Sequence, residues 1–109
     1  MMYIPDRGDI IWLDFEPSVG KEITKRRPAY VVSRKAFNDH TGFALVAPIT
    51  STVRHVRLEV VLEGTETKGA ILSYQIKSLD LEHRNATFIE RSPPEIIAAV
   101  TQIMQVIVR

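Results

Sequence analysis

Between residues 20 and 28 the chain reads Gly20-Lys21-Glu22-Ile23-Thr24-Lys25-Arg26-Arg27-Pro28, one carboxylate among four cations. Lys21, Lys25, Arg26 and Arg27 would attract a polyanion, and Glu22 is the one group there that can accept a proton. That combination suits phosphate chemistry, where a base activates a nucleophile and cations meet the charge that builds on phosphate oxygens. Proline at 28 disfavours helix at Arg27, and the run Ala29-Tyr30-Val31-Val32-Ser33 follows, so the charges are expected on a loop entering a strand. A mixed-sign loop between strands is ordinarily just solvated, and the segment gains weight only from the rest of the chain.

A second group of functional side chains is Thr50-Ser51-Thr52, three hydroxyls after the apolar run Phe43 to Ile49. By themselves they read as turn formers. Other chemistries recede. There is no cysteine, and His40, His55 and His83 stand apart without the spacing of a ligand set, so neither metal nor other cofactor is expected. There is no glycine-rich phosphate loop and no Gly-x-Ser-x-Gly elbow.

The elements that must position these residues are mostly strands. Ile10 to Phe15 reads as the first, broken by Glu16-Pro17-Ser18-Val19-Gly20, and Ala29 to Ser33 as the second, buried on both faces. Arg34 to Phe37 allows one helical turn, ended by Asn38-Asp39-His40-Thr41-Gly42. Phe43 to Ile49 is the next strand, and Pro48 suggests an edge or a bulge there. Leu58 to Leu62, Ala70 to Leu79 and Ala86 to Ile89 complete the extended segments. Ser92-Pro93-Pro94-Glu95 has the pattern of a helix start, with Ser92 as N-cap, a proline in the first turn and Glu95 closing a capping box. Beyond it Ile97, Val100, Met104 and Ile107 fall on one helical face. Short strands with irregular loops and a closing helix imply a mainly β (α+β) domain, a small, curled antiparallel barrel.

At 109 residues, 45% hydrophobic and 25% charged, the chain is one domain spanning residues 1–109. No apolar run is long enough to cross a bilayer and the N-terminus has no signal-peptide pattern, so no membrane partner and a cytoplasmic location are expected. The net charge is only +1, with 9 Lys+Arg against 7 Asp+Glu in residues 1–60 and 5 against 6 in the remainder. That mild asymmetry points to a local electropositive groove for a short single strand of nucleic acid, not to a duplex-binding face.

Three blocks, Gly8-Asp9-Ile10-Ile11-Trp12-Leu13-Asp14-Phe15-Glu16-Pro17, Gly20-Lys21-Glu22 and Arg27-Pro28-Ala29-Tyr30-Val31-Val32-Ser33, together resemble the N-terminal signature of the MazF/PemK (Kid) toxins of toxin-antitoxin systems. Phe37-Asn38 with Thr41-Gly42, Val46-Ala47-Pro48-Ile49-Thr50-Ser51 and Gln75-Ile76-Lys77-Ser78-Leu79 continue the likeness in order, and the closing helix matches too. The resemblance implies an SH3-like curled barrel, a homodimer, sequence-specific and metal-independent cleavage of single-stranded RNA, and neutralisation by a cognate antitoxin. It assigns Glu22, Arg27 and Thr50 to catalysis, and is taken here to extend RNA binding over Lys21, Lys25, Arg26, Ser51, Tyr74, Gln75 and Lys77.

One position departs from the family. Relatives commonly have Asp-Gln where this chain has Tyr74-Gln75, and PemK-like members place an arginine where this chain has Leu72. The aspartate-centred acid/base scheme therefore does not transfer, and the version centred on Glu22 and Arg27 is favoured. An aromatic ring at 74 can stack a base but cannot take a proton at neutral pH. Two other classes fit the strands: a non-catalytic SH3-like module that binds RNA or protein, for which Glu22 would be dispensable, and a gyrase poison of the CcdB type. The latter depends on a C-terminal tryptophan, whereas this chain ends Val106-Ile107-Val108-Arg109.

Overall fold

The computed structural model describes residues 3–16 and 25–109. Strand β1 (Asp9–Glu16) runs antiparallel to β2 (Lys25–Val31), with Ile10 opposite Tyr30 and Leu13 opposite Arg27. Helix α1 (Lys35–Thr41) then leads into β3 (Phe43–Thr50), which returns along β2. Three short strands follow, β4 (Glu59–Val61), β5 (Ala70–Leu72) and β6 (Lys77–Asp80), before β7 (Thr87–Arg91) and helix α2 (Pro94–Val108). All pairings are antiparallel, and the seven strands form one curled sheet in the order β4-β5-β3-β2-β1-β7, with β6 beside β3. The expected mainly β architecture with a C-terminal helix is what the chain adopts.

β3 lies at the centre because three strands share it. Its first half pairs with β6 as far as Val46 opposite Lys77, its last two residues pair with β5 from Ile49 opposite Ile71, and β2 occupies its other edge. Pro48 therefore marks neither an edge strand nor a bulge. It stands between the last β6 partner and the first β5 partner, the one stretch of this edge where a missing N–H breaks no pairing.

Alternation sends side chains to two faces. On one, Ile10, Tyr30, Val32, Ala47, Ile49 and Ile71 meet Ile96, Val100 and Met104 of α2. On the other, Ile11, Leu13, Phe15, Ala29, Val31 and Val46 pack with Leu79 and Leu81. Ala29 to Ser33 is buried throughout, as its composition implied.

Several local expectations are corrected. Lys25, Arg26 and Arg27 belong to β2 and not to a loop, because Pro28 sits opposite Trp12 without ending the β1–β2 ladder. The single turn expected at Arg34 to Phe37 is a helix running to Thr41, closed by Gly42 in the left-handed region (φ 77°). Its Asn38 is not turn chemistry. It is fully buried and donates to the Pro5 and Ser33 carbonyls at 2.9 and 3.1 Å. The extended run Ala70 to Leu79 is cut by a turn at Ser73 and Tyr74 into β5 and β6, so one segment pairs with both ends of β3. The N-cap of α2 is Pro93, with Pro94 in the first turn. Ser92 lies one residue outside, its buried Oγ making no hydrogen bond among the described residues, so the capping box does not form. The buried stripe of α2 is Ile96, Val100 and Met104, while Ile107 is exposed past the end of the sheet contact.

Candidate active site

The site expected from the charged segment divides between the described residues and the rest. Glu22 and Lys21 lie outside the described residues, and of Lys25 only the backbone is described. Arg27 and Thr50 are brought to one place by register. Ala29 pairs with Pro48, so two residues further on Arg27 comes opposite Thr50, on the face of the sheet away from α2. The ladder itself stops short of them. Val32 N–H donates to Leu45 O at 2.8 Å, which makes residue 28 a donor position toward β3 by alternation; as proline it has no N–H to give. The ends of β2 and β3 carrying Arg27 and Thr50 thus extend past their last mutual pair.

Lys77 joins this face. It is opposite Val46, and its ammonium stands 5.8 Å from the centre of the Phe15 ring, at the end of β1 where the segment bearing Glu22 departs. Arg27, Thr50 and Lys77 therefore lie at the rim of the buried apolar cluster to which Phe15 belongs. Among the described residues no ion pair or side-chain hydrogen bond engages Arg27. Thr50 Oγ accepts the N–H of Thr52 at 3.1 Å, a local turn that holds the hydroxyl in place. Ser51 is exposed at the bend that follows, and Tyr74 and Gln75 are exposed on the β5–β6 connection, with Gln75 N–H donating to Leu72 O at 3.0 Å. That connection bridges the interval between Thr50's pairing with Ala70 and Val46's with Lys77, so it runs beside the same end of β3.

Arg26 does something else. By alternation it faces the opposite way from Arg27, and it is held by Asp14 at 3.1 Å and by Thr87 Oγ at 2.8 Å. Asn85 donates to the same carboxylate at 2.7 Å; that bond, then Arg26, holds Asp14 below the usual carboxylate range despite partial burial.

Two supports were missed in the sequence. Arg84 donates to the carbonyl of Phe15 at 2.5 Å, and with Asn85 it clamps the end of β1 from which the charged segment leaves. Gly69 (φ 124°) passes so close to Thr50 that any Cβ there would collide with the Thr50 carbonyl oxygen. The loop before it is pinned by Glu90, whose carboxylate accepts from Glu66 N–H at 3.0 Å and from Thr67 N–H at 2.7 Å. A Gly between Lys68 and Ala70 is the only sequence trace of that contact, and clamps spanning some seventy residues leave none. Among the described residues no group of three His, Asp or Glu side chains is assembled that could hold a metal ion.

A small curled antiparallel sheet, with a C-terminal helix on one face and Arg27, Thr50 and Lys77 at the rim of the other, offers a cationic edge of the kind that suits a polyanion. The sequence profile of the PemK-like, MazF-like toxin of type II toxin-antitoxin systems matches residues 6–108, and the chain belongs to that family. It is 38% identical over 106 residues to the endoribonuclease toxin MazF of Escherichia coli K12, covering 97% of this chain and 96% of that one. It is 35% identical to the endoribonuclease toxin ChpB of the same organism, with 94% and 93% covered. Among solved structures, a MazE–MazF crystal structure from Deinococcus radiodurans superposes with a TM-score of 0.89 at 34% identity, covering 97% of this chain and 96% of that one.

Proposed function

We propose that this chain is a sequence-specific, metal-independent endoribonuclease toxin that cleaves single-stranded RNA, mRNA above all, and so arrests translation and growth. The observation that carries the reading is the convergence of Arg27, Thr50 and Lys77 on the sheet face away from α2, near the end of β1 from which Glu22 follows. The named activities of MazF and ChpB support it.

An RNA 2′-hydroxyl is a poor nucleophile until its proton is removed. Glu22 takes that proton as general base, and the oxygen attacks the adjacent phosphorus in line. The P–O5′ bond breaks, leaving a 2′,3′-cyclic phosphate and a 5′-hydroxyl that gains a proton. Charge growing on the phosphate oxygens is met by Arg27, whose guanidinium can give two parallel hydrogen bonds that a lysine cannot reproduce. A guanidinium pKa above about 12 makes it a reluctant acid, so its part is charge stabilisation. Thr50 steadies a phosphate oxygen, Lys77 and Ser51 hold the strand, and Tyr74 with Gln75 contacts bases beside the cut. Lys21 and Lys25 add to the field. Arg26, paired with Asp14 on the other face, contributes through the fold of β1 and β2 more than through direct contact.

The working form is a cytoplasmic homodimer neutralised by a cognate antitoxin, an acidic and partly disordered chain that competes with RNA for the Arg27 face. Complexes of MazE with MazF are the structural precedent. The test is cleavage of a long RNA in EDTA with the cut sites mapped by primer extension. Discrete cuts bearing cyclic phosphates are expected, with Glu22→Gln slowing them roughly 10²- to 10⁴-fold at retained RNA affinity. Full activity in Glu22→Gln, or loss of cleavage in EDTA, overturns the mechanism.

A further inference from the structure

The connection between β3 and β4 is tied down more firmly than a solvated loop needs. Residues 51–58 include two non-glycine residues in the left-handed region, His55 (φ 56°) and Leu58 (φ 68°). For a side chain as bulky as Leu58 that backbone is unfavourable, and it persists only where neighbouring contacts fix it. Glu59, the first residue of β4, supplies those contacts. Its Oε1 accepts the N–H of Arg54 at 3.1 Å and the N–H of His55 at 2.8 Å, while Ser73 N–H holds the Leu58 carbonyl at 3.1 Å. All the anchoring by the carboxylate passes through that one oxygen, since Oε2 is buried with no hydrogen-bond partner among the described residues.

Register places this carboxylate on the Arg27 face. Ile71 stands opposite both Ile49 and Val60, and all three belong to the apolar packing under α2. The alternate residues Thr50, Ala70, Leu72 and Glu59 therefore point the other way. Glu59 cannot touch Thr50 itself, because two strand spacings, about 9–10 Å, separate β4 from β3. The intervening chain makes the link. Thr50 Oγ accepts the N–H of Thr52 at 3.1 Å, and two residues later the same stretch is fastened to Glu59. A hydroxyl oxygen that accepts there keeps its own proton free to donate, in a direction that depends on Thr52 N–H staying in place. The Thr50 backbone is confined from the other side by Gly69, which lies against its carbonyl. Rotation of the hydroxyl is the freedom that remains, and Glu59 holds the segment that removes it.

We propose that Glu59 is a positioning residue for RNA cleavage: by fastening Arg54 and His55 it keeps Thr52 N–H on the Thr50 hydroxyl and so aims that hydroxyl at the phosphate. The inference rests on the reading of the chain as a ribonuclease in which Thr50 meets a phosphate oxygen. It gives Glu59 no contact with RNA and no proton to move.

Steady-state cleavage of an RNA oligonucleotide carrying one mapped cut site tests this, with thermal midpoints measured alongside. Glu59→Ala should lower kcat roughly 10-fold and leave KM within about twofold. Glu59→Gln keeps an oxygen for both N–H groups and should bring kcat back to within about threefold of wild type. Glu59→Thr, which suits a strand but is too short to reach either N–H, makes the same comparison if the alanine variant does not fold. In a Thr50→Val background the Glu59 substitutions should cost nothing further, since no hydroxyl is left to aim. Independent, multiplying losses in the double variants would overturn the coupling, and so would single variants that lower only the folded fraction. A rise in KM at unchanged kcat would make the connection an RNA-holding element and overturn the positioning role. Wild-type kcat in Thr50→Val would remove Thr50 from the reaction and this proposal with it, while cleavage through Glu22 and Arg27 stands. A wild-type chain that cuts no RNA would remove the underlying reading as well.

Discussion

The two faces of the sheet are built from the same kinds of strand and put to different uses. Toward α2, Ile96, Val100 and Met104 cover Tyr30, Ala47 and Ile71, and no charged side chain belongs to the cluster. On the other side Ile11, Leu13, Ala29, Val31, Ala44 and Val46 are just as deeply buried, enclosed by the curl of the sheet with Leu79 and Leu81, and Arg27, Thr50 and Lys77 stand at the rim of that cluster. Burying those two cations without counter-charges would be costly, so the rim is where charge can be kept for a ligand. Both clusters carry stability while the candidate chemistry is confined to the rim of one, and substitutions should separate the two.

The largest separation is expected at Arg27. Arg27→Ala removes the guanidinium from a strand position whose side chain has no bonded partner among the described residues, so cleavage at saturating RNA should fall roughly 10²- to 10³-fold with the thermal midpoint nearly unchanged. A large loss of stability with little loss of rate would reverse the assignment of the faces. Met104→Ala makes the complementary cut. It opens a cavity under α2, and urea titration should show about 2–5 kcal/mol of destabilisation while the molecules that remain folded cut RNA at the wild-type rate.

Gly69→Ala sharpens the comparison, because it touches the Arg27 face through the backbone. A methyl group there must displace the Thr50 carbonyl, and the residue must also hold a φ of 124°. About 1–3 kcal/mol of stability should be lost. If Thr50 acts on phosphate, kcat should fall further than the folded fraction explains, with KM little changed; a loss of folded protein alone would confine Thr50 to its turn with Thr52.

The strands could be read from apolar runs because each lies in a contiguous stretch, and the resemblance pointed to Arg27 and Thr50 before their register was known. Their shared face then follows from counting two residues past Ala29 and Pro48. The misreadings have physical causes. Pro28 and Pro48 look like breaks, yet Pro28 leaves the β1–β2 ladder intact and ends only the one with β3, while Pro48 removes a donor between the β6 and β5 partners of its edge. The division of 70–79 into two strands is set by β3, which accepts a partner at each end, and no local pattern records that. Arg26 and Arg27 are adjacent and alike in sequence, and only alternation sends one to Asp14 and the other to the face of Thr50 and Lys77.

The smallest effect is expected at the end of β6, on neither working surface. His83 Nδ1 meets Asp80 Oδ2 at 2.6 Å on the exposed turn after the strand. That hydrogen bond, with the charges of Asp80 and Glu82, raises the imidazole above its ordinary 6.5. The same bond first, and the turn N–H groups of His83 and Glu82 with it, lower Asp80 below its ordinary 3.8. A raised histidine contributes stability fully below its unfolded value and loses it as pH rises through the folded one. A lowered aspartate contributes above its unfolded value and loses it as pH falls through the folded one. The pair should therefore help most between about pH 4 and 6.5, and only slightly, since both groups face water. NMR titration of the His83 ring should give a midpoint above 6.5 that moves most of the way back in Asp80→Asn, Glu82 holding the remainder. RNA cleavage should be the same in both proteins. A change in cleavage would tie the β6 turn to the Arg27 face through Lys77, at the other end of the same strand, and the boundary between the two faces would have to be redrawn there.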